Sequence, residues 1–376
     1  MRNRTKSVAE AHVAALALLL LVSRSAAAQV APGDFDDLSR RAAAAQDARP
    51  KEAVELYRKA LAIRPGWAEG WLYMGAGLYQ LRRFTESRDA FRKGVALVPE
   101  KGTPWAFLGL VEYELGGYRE ALAHMLKGES IGLADKPDFV TSVHYHAALI
   151  YLRLSDFTRA LDQLRPLARA GHETPPVIEA LGLAALEMKT LPANLPAAKR
   201  PLVELAGRAA AAFMAERAEE AGPLFEQLAA KFPNEPGVHY MVGAWSIGHD
   251  PAAAEAEFRK ELQITPNHVM ARVQLALLLI KRGDAKESVE LAGETAKMEP
   301  GNAVCQATLG QALLNADRTG EAVAVLEKAV RLAPNVAKAH FYLAQAYSQA
   351  GRVAEARKET AEFNRLREQQ EPVTAP

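Results

Sequence analysis

A chain of 376 residues would suggest two or three domains at about 150 residues each. Its composition, 49% apolar but only 7% aromatic and rich in alanine, points instead to many short, closely packed helices. One cysteine excludes a disulfide framework and a cysteine-built zinc site, and 46 basic against 45 acidic residues leave no single-sign field to draw nucleic acid or an anionic membrane.

Residues 1–28 read as an export signal. Arg2, Arg4 and Lys6 form a basic start, Val13 to Val22 an uninterrupted apolar run, and Ala26-Ala27-Ala28 a small-residue cleavage site before Gln29. The ten apolar residues reach about half of the ~20 needed to span a bilayer, and Arg24 interrupts any extension. The expectation is a leader cleaved near Ala28, no stable span afterwards, and a mature protein in the periplasm or outside the cell. Cys305, alone and far downstream, reads as a small buried residue.

Beyond the leader the sequence repeats. Pro65 and Pro99 lie 34 residues apart, and Pro233, Pro266, Pro300 and Pro334 follow at 33, 34 and 34. Each closes an apolar phrase such as Val330-Arg331-Leu332-Ala333-Pro334. Proline cannot continue a helix and biases its predecessor away from the helical region, so it is a reliable stop. With this proline at position 32 of a unit, position 8 holds Gly75, Gly109, Gly182, Gly243, Ala276 and Gly310. Position 20 holds Ser87, Ala121, Ala254, Ser288 and Ala322, and position 24 holds Phe91, Met125, Phe258 and Leu326. The pattern predicts two antiparallel helices per unit, with small residues at 8 and 20 letting the backbones approach and large ones filling the seam. Polar turns such as Gly116-Gly117-Tyr118 and Ser155-Asp156-Phe157 separate the helices.

Units run over 29–174 and again over 202–370, followed by a flexible tail at 371–376. Between them, 175–201 supplies a first helix around Leu181-Gly182, but Leu191-Pro192-Ala193-Asn194-Leu195-Pro196 stands where a second is expected. This irregular unit is either a break between an N-terminal and a C-terminal array or a tolerated insertion, because surface loops accept length cheaply.

Candidate chemistry is sparse. Gly128-Glu129-Ser130-Ile131-Gly132 matches the nucleophile-elbow spacing and Ala244-Trp245-Ser246-Ile247-Gly248 comes close, but that elbow needs a strand entering a sharp turn, and no strand pattern exists here. His144, His239 and His340 occupy position 4, where Trp71 and Trp105 stand in other units. His144 and His146 are two apart and point to different helix faces. They read as residues filling an aromatic slot rather than metal ligands, and no phosphate-binding glycine loop occurs. The expectation is no catalytic residue, no metal and no cofactor.

Trp71-Leu72-Tyr73-Met74-Gly75, with Ala or Ser at 20, an aromatic at 24 and Pro at 32, resembles the tetratricopeptide repeat (TPR). The resemblance implies an all-α, right-handed superhelical solenoid of about nine to ten antiparallel helix pairs, whose first helices line a concave groove. In that family, Lys at position 5 with Asn at 9 clamps C-terminal carboxylates; no unit here has the pair. Carried over by position, the groove residues are Leu72 and Tyr79, Leu110 and Tyr113, then Tyr145, Leu149 and Leu152. Beyond the irregular unit they are Phe213, Tyr240, Ile247, Val273, Leu277 and Phe341. Such a stripe suits burial of an apolar face of another protein or an extended peptide; the alternative is that it is core covered by the neighbouring unit. The function this reading supports is an exported, non-enzymatic scaffold that binds a protein or peptide of the cell envelope. The alternative is a self-associating solenoid whose groove or end repeats pack on another copy.

Overall fold

The computed structural model describes residues 32–134 and 136–370, and the expected leader and tail fall outside the described residues. Every regular element among the described residues is helical, and the fold is an all-α arrangement of TPR-type helix pairs. Internal packing divides the chain between Ala218 and Glu219.

The first unit contains α1 (Pro32–Ala45), α2 (Pro50–Ile63), α3 (Ala68–Gln80), α4 (Phe84–Leu97), α5 (Gly102–Glu114), α6 (Tyr118–Ile131), α7 (Pro137–Arg153), α8 (Phe157–Arg169), α9 (Pro175–Ala185) and α10 (Arg200–Met214). The helix α11 (Ala218–Lys231) begins at the division. The second unit continues with α12 (Val238–Ser246), α13 (Pro251–Ile264), α14 (Val269–Arg282) and α15 (Ala285–Met298). It ends with α16 (Ala303–Asn315), α17 (Thr319–Leu332), α18 (Ala337–Gln349) and α19 (Val353–Gln370).

The turns inside the pairs share one solution. Arg82, Gly116, Ser155, Gly283, Asp317 and Gly351 all have positive φ, between 56° and 93°. The residue after each donates its N–H to the carbonyl five residues back at 2.8–2.9 Å, closing the last helical carbonyls before the chain reverses. Asp156 and Asp250 then accept from the third backbone N–H of the helices they precede, α8 and α13.

Small residues at position 8 lie under the large ones at position 24. A Cβ on Gly75 would come within 2.8 Å of the Phe91 ring, and one on Gly310 within 2.4 Å of Leu326. Ser87 adds a hydrogen bond to this close approach, its hydroxyl donating to the Gly75 carbonyl at 2.7 Å.

The unit-ending prolines have a second use. Having stopped a helix, each leaves its carbonyl open, and the side chain six residues on, at position 4 of the next first helix, donates to it. Trp71 reaches Pro65 at 2.8 Å, Trp105 reaches Pro99 at 3.0 Å and Arg272 reaches Pro266 at 2.8 Å. Gln306 reaches Pro300 at 3.4 Å, while His239 and His340 reach Pro233 and Pro334 at 2.8 and 2.9 Å. Four chemically different side chains thus perform one structural task.

The irregular region is a long connection between two packed helices. Two short 3₁₀ turns, Pro192–Asn194 and Ala197–Lys199, bridge α9 to α10, and Leu195 between them is buried. The helix α10 lies along α9, with Gly182 against the Val203 carbonyl and Gly207 against the Ile178 carbonyl. The pair α9–α10 therefore belongs to the first unit, with a long connection in place of a tight turn. Glycine on both helices is the physical reason, since only it permits backbone contact that close.

Candidate functional site

The thirteen side chains expected along the groove separate by depth. Leu72, Leu110, Leu149, Leu152 and Val273 are buried, at 2 to 8% exposure, and form core between neighbouring helices. Leu72 closes over Gly94 of α4, and Leu110 packs with Met125 and Val143. These five stand at positions 5, 9 and 12, where the neighbouring helices cover a large branched side chain. Tyr79, Tyr113, Tyr145, Tyr240, Ile247 and Leu277 are half-buried, and Phe213 and Phe341 are each 46% exposed.

Within the first unit, three tyrosines come together. Tyr113 packs edge-on to Tyr118 at 5.5 Å between ring centroids and edge-on to His146 at 4.7 Å. His146 in turn meets Tyr145 at 5.4 Å, and its Nδ1 lies 2.7 Å from the Ser142 carbonyl, which accepts from it and orients the ring. The Arg153 guanidinium sits 4.3 Å over Tyr118. Tyr79 packs against Phe84 at 5.4 Å and its phenol faces the Glu114 carboxylate of the next first helix. Tyr145 faces Glu179 of α9, which pairs with Arg200 at the start of α10. Half-buried tyrosines thus stand on α3, α5 and α7, those of α5 and α7 joined through His146, with Glu114, Arg153, Glu179 and Arg200 beside them.

The electrostatics keep these phenols as donors. Burial pushes Tyr113 up to about 12, with Tyr118 adding to the shift and Arg153 opposing it. Tyr79 is raised by burial first and then by Glu114, and Tyr145 by burial, then by Tyr113 and Glu179. Each carries an apolar ring and a neutral O–H, a combination favoured where a partner presents both apolar surface and open carbonyls.

In the second unit the expected residues stay apart. Tyr240 and Ile247 pack around Phe258 and Leu275, Leu277 joins Ala292 and Ala312, and Phe341 lies against Tyr342 and Phe363 on the last pair. Sequence reasoning missed Tyr118, Glu114, Arg153 and His146 as members of the first-unit face. Glu114 and Arg153 stand at position 13 of their units, one residue beyond Tyr113 and Leu152, so extending the stripe by one position would have found them.

The serines set aside on sequence grounds lie in helices. Ser130 in α6 donates to the Lys127 carbonyl at 2.9 Å, and the buried Ser246 in α12 donates to Val242 at 2.9 Å. Cys305 is buried, and burial pushes its thiol up to about 11. Among the described residues no group of three or more His, Cys, Asp or Glu side chains could hold a metal ion, and no helix is long and apolar enough to cross a membrane.

Residues 308–362 match the tetratricopeptide repeat family. No curated protein matches the chain. Among solved structures, MamA residues 41 to the end from Desulfovibrio magneticus RS-1 is similar at 22% identity and a TM-score of 0.41, covering 46% of this chain and 97% of that one. The MamA structure designated MSR-1 is similar at 25% identity and 0.37, covering 46% and 99%. The MamA structure designated AMB-1 is similar at 28% identity and 0.36, covering 42% and 94%.

Proposed function

We propose that this protein of TPR-type helix pairs is a non-enzymatic scaffold that is exported to the cell envelope and binds a protein or peptide on the tyrosine face of its first unit. The observation that carries this reading is the joined set of Tyr113, His146 and Tyr145, with Tyr79 on the preceding first helix, all half-buried and the phenols held protonated. An extended apolar segment would bury its side chains on the rings while the phenols donate to its carbonyls. Export rests on the basic start, apolar run and small-residue end of residues 1–28.

Random-sequence peptides displayed on phage and selected on the immobilised chain supply a ligand for the test. Tyr113→Ala and Tyr145→Ala should each weaken a selected peptide by about 30-fold, the equivalent of a hot spot worth about 2 kcal/mol. Thermal midpoints should change little. A large fall in midpoint, with undiminished binding by the protein that remains folded, would assign the tyrosines to the core and remove the proposed site.

The exposure of Phe341, packed against Phe363 on the last pair, favours a second reading: self-association through the C-terminal pair. Sedimentation over a range of concentrations separates the two, since only self-association makes the apparent mass rise with concentration and fall back in Phe341→Ala.

A further inference from the structure

We infer that the tyrosine face of the first unit takes a ligand segment with a basic side chain, lysine or arginine, whose cation is received by Glu114 beside Tyr79. The inference rests on the peptide-binding reading of that face and adds the chemistry of the ligand.

Glu114 is the last residue of α5. The C-terminal end of a helix carries partial negative charge, so a carboxylate there is repelled by the helix that bears it. The next first helix, α7, ends at the same position of its unit with Arg153, the sign that a helix end favours. Glu114 therefore stands where helix stability alone would not place it.

Its surroundings leave the charge uncompensated. The side chain is exposed, yet the protein around it pushes its carboxyl up, and the Arg82 charge and the Tyr79 phenol do not offset this. Arg82 does not close on it: its guanidinium lies over Phe84, 5.6 Å from the ring centroid, and no ion pair joins Arg82 to Glu114 among the described residues. Other carboxylates on and around the same helices already hold a cation. Glu112, two residues earlier on α5, has Arg92 at 3.0 Å and His124 at 2.6 Å. Glu179, facing Tyr145, pairs with Arg200, and Glu216 after α10 has Arg169 at 3.0 Å. A reachable but poorly hydrated carboxylate has the most to gain from an arriving cation.

Charge complementarity points the same way. Positions 5, 9, 12 and 13 of α3, α5 and α7 carry no lysine, and their one arginine, Arg153, is occupied over Tyr118 at 4.3 Å. The face thus offers an acidic ligand no open cation at these positions. A basic side chain finds both parts of what it needs. A carboxylate faced by one phenol keeps lone pairs for further N–H donors. The alkyl stem of lysine or arginine packs on tyrosine rings, whose faces also attract the cation.

The test uses the full chain and the phage-displayed random peptides selected on it. Peptides whose binding falls in Tyr113→Ala should be enriched in lysine or arginine. Changing that basic residue to glutamine should weaken binding to the parent about fivefold or more, and to Glu114→Gln by less than about twofold. The loss on the parent should shrink as salt is raised. Equal losses on the parent and Glu114→Gln, or tyrosine-dependent peptides without basic residues, would overturn this inference while leaving the peptide-binding reading in place. A library that yields no tyrosine-dependent peptide would remove that reading and this inference with it. If Glu114→Gln does not fold, the composition of the selected peptides and their salt-dependent loss on the parent decide the matter.

Discussion

The crossing of α9 and α10 offers the sharpest test of the packing argument. A Cβ on Gly182 would stand 2.0 Å from the Val203 carbonyl oxygen, and one on Gly207 2.0 Å from the Ile178 carbonyl oxygen. Both obstacles are backbone, so no rotamer change clears them. The helices would have to separate, disturbing Leu181, Val203 and Ala206, which are all fully buried at the crossing. Overpacking of this kind costs about 1–3 kcal/mol or more, against a gain of about 0.8–1 kcal/mol from alanine's better helix propensity. A backbone clash at 2.0 Å belongs to the upper part of that range, about 2–3 kcal/mol, so the net expectation for Gly182→Ala is a loss of about 1–2 kcal/mol, with a similar loss for Gly207→Ala.

Gly293 in α15 supplies the opposite sign. The nearest atom to a Cβ there is Leu309 Cδ1 at 3.9 Å, ordinary van der Waals contact. Gly293→Ala should therefore keep its propensity gain and stabilise by about 0.5–1 kcal/mol. Urea denaturation of the full chain, followed by far-ultraviolet circular dichroism and tryptophan fluorescence, reports both changes. Trp67, Trp71 and Trp105 belong to the first unit and Trp245 to the second. If Gly182→Ala matched or exceeded the parent's midpoint, the close approach of α9 and α10 would be refuted, and with it the assignment of α10 to the first unit.

Two further expectations follow from the same structure. Exported material should begin at or near Gln29 on N-terminal sequencing, and an intact Met1 in a membrane fraction would refute the leader. Glu112 is buried beside Arg92 at 3.0 Å and His124 at 2.6 Å. Burial pushes its carboxyl up, but the hydrogen bonds and charges of His124 and Arg92 outweigh this and hold it below the ordinary value. A carboxyl lowered on folding contributes stability that is present above its unfolded value, about 4.3, and is lost as pH falls through the folded one. Glu112→Gln should cost about 1.5–3 kcal/mol at pH 7 and flatten the acid limb of the stability profile; an unchanged limb would show that Glu112 is not its source.

Much of the pairing was legible before any coordinates. The 34-residue spacing of Pro65, Pro99, Pro266, Pro300 and Pro334 reports helix ends because proline acts locally, on its own nitrogen and its predecessor's conformation. Gly75 and Gly310 were readable for a related reason: a missing side chain at a fixed position signals contact whatever the partner. The region 175–201 was harder. Pro192 and Pro196 mark a loop, but whether the next helix turns back on α9 or departs depends on Gly182 meeting Val203 and Gly207 meeting Ile178. That match lies between two glycines 25 residues apart, outside the repeat's own spacing.

The candidate site was half legible, and the cause is geometric. Helical period places Leu72 and Tyr79, or Tyr145 and Leu152, on one side of a helix, but period says nothing of how far the neighbouring pair covers that side. Cover is deep at Leu72, Leu110 and Leu152, where branched side chains meet the adjoining second helix. It is partial at Tyr113 and Tyr145, whose rings extend past it to meet His146. Residue type resolves what periodicity leaves open. A leucine has nothing to gain from the rim of a core, whereas a tyrosine can bury its ring and keep its hydroxyl available. Of the thirteen positions, those occupied by tyrosine in the first unit are therefore the ones where packing and the proposed recognition can coexist.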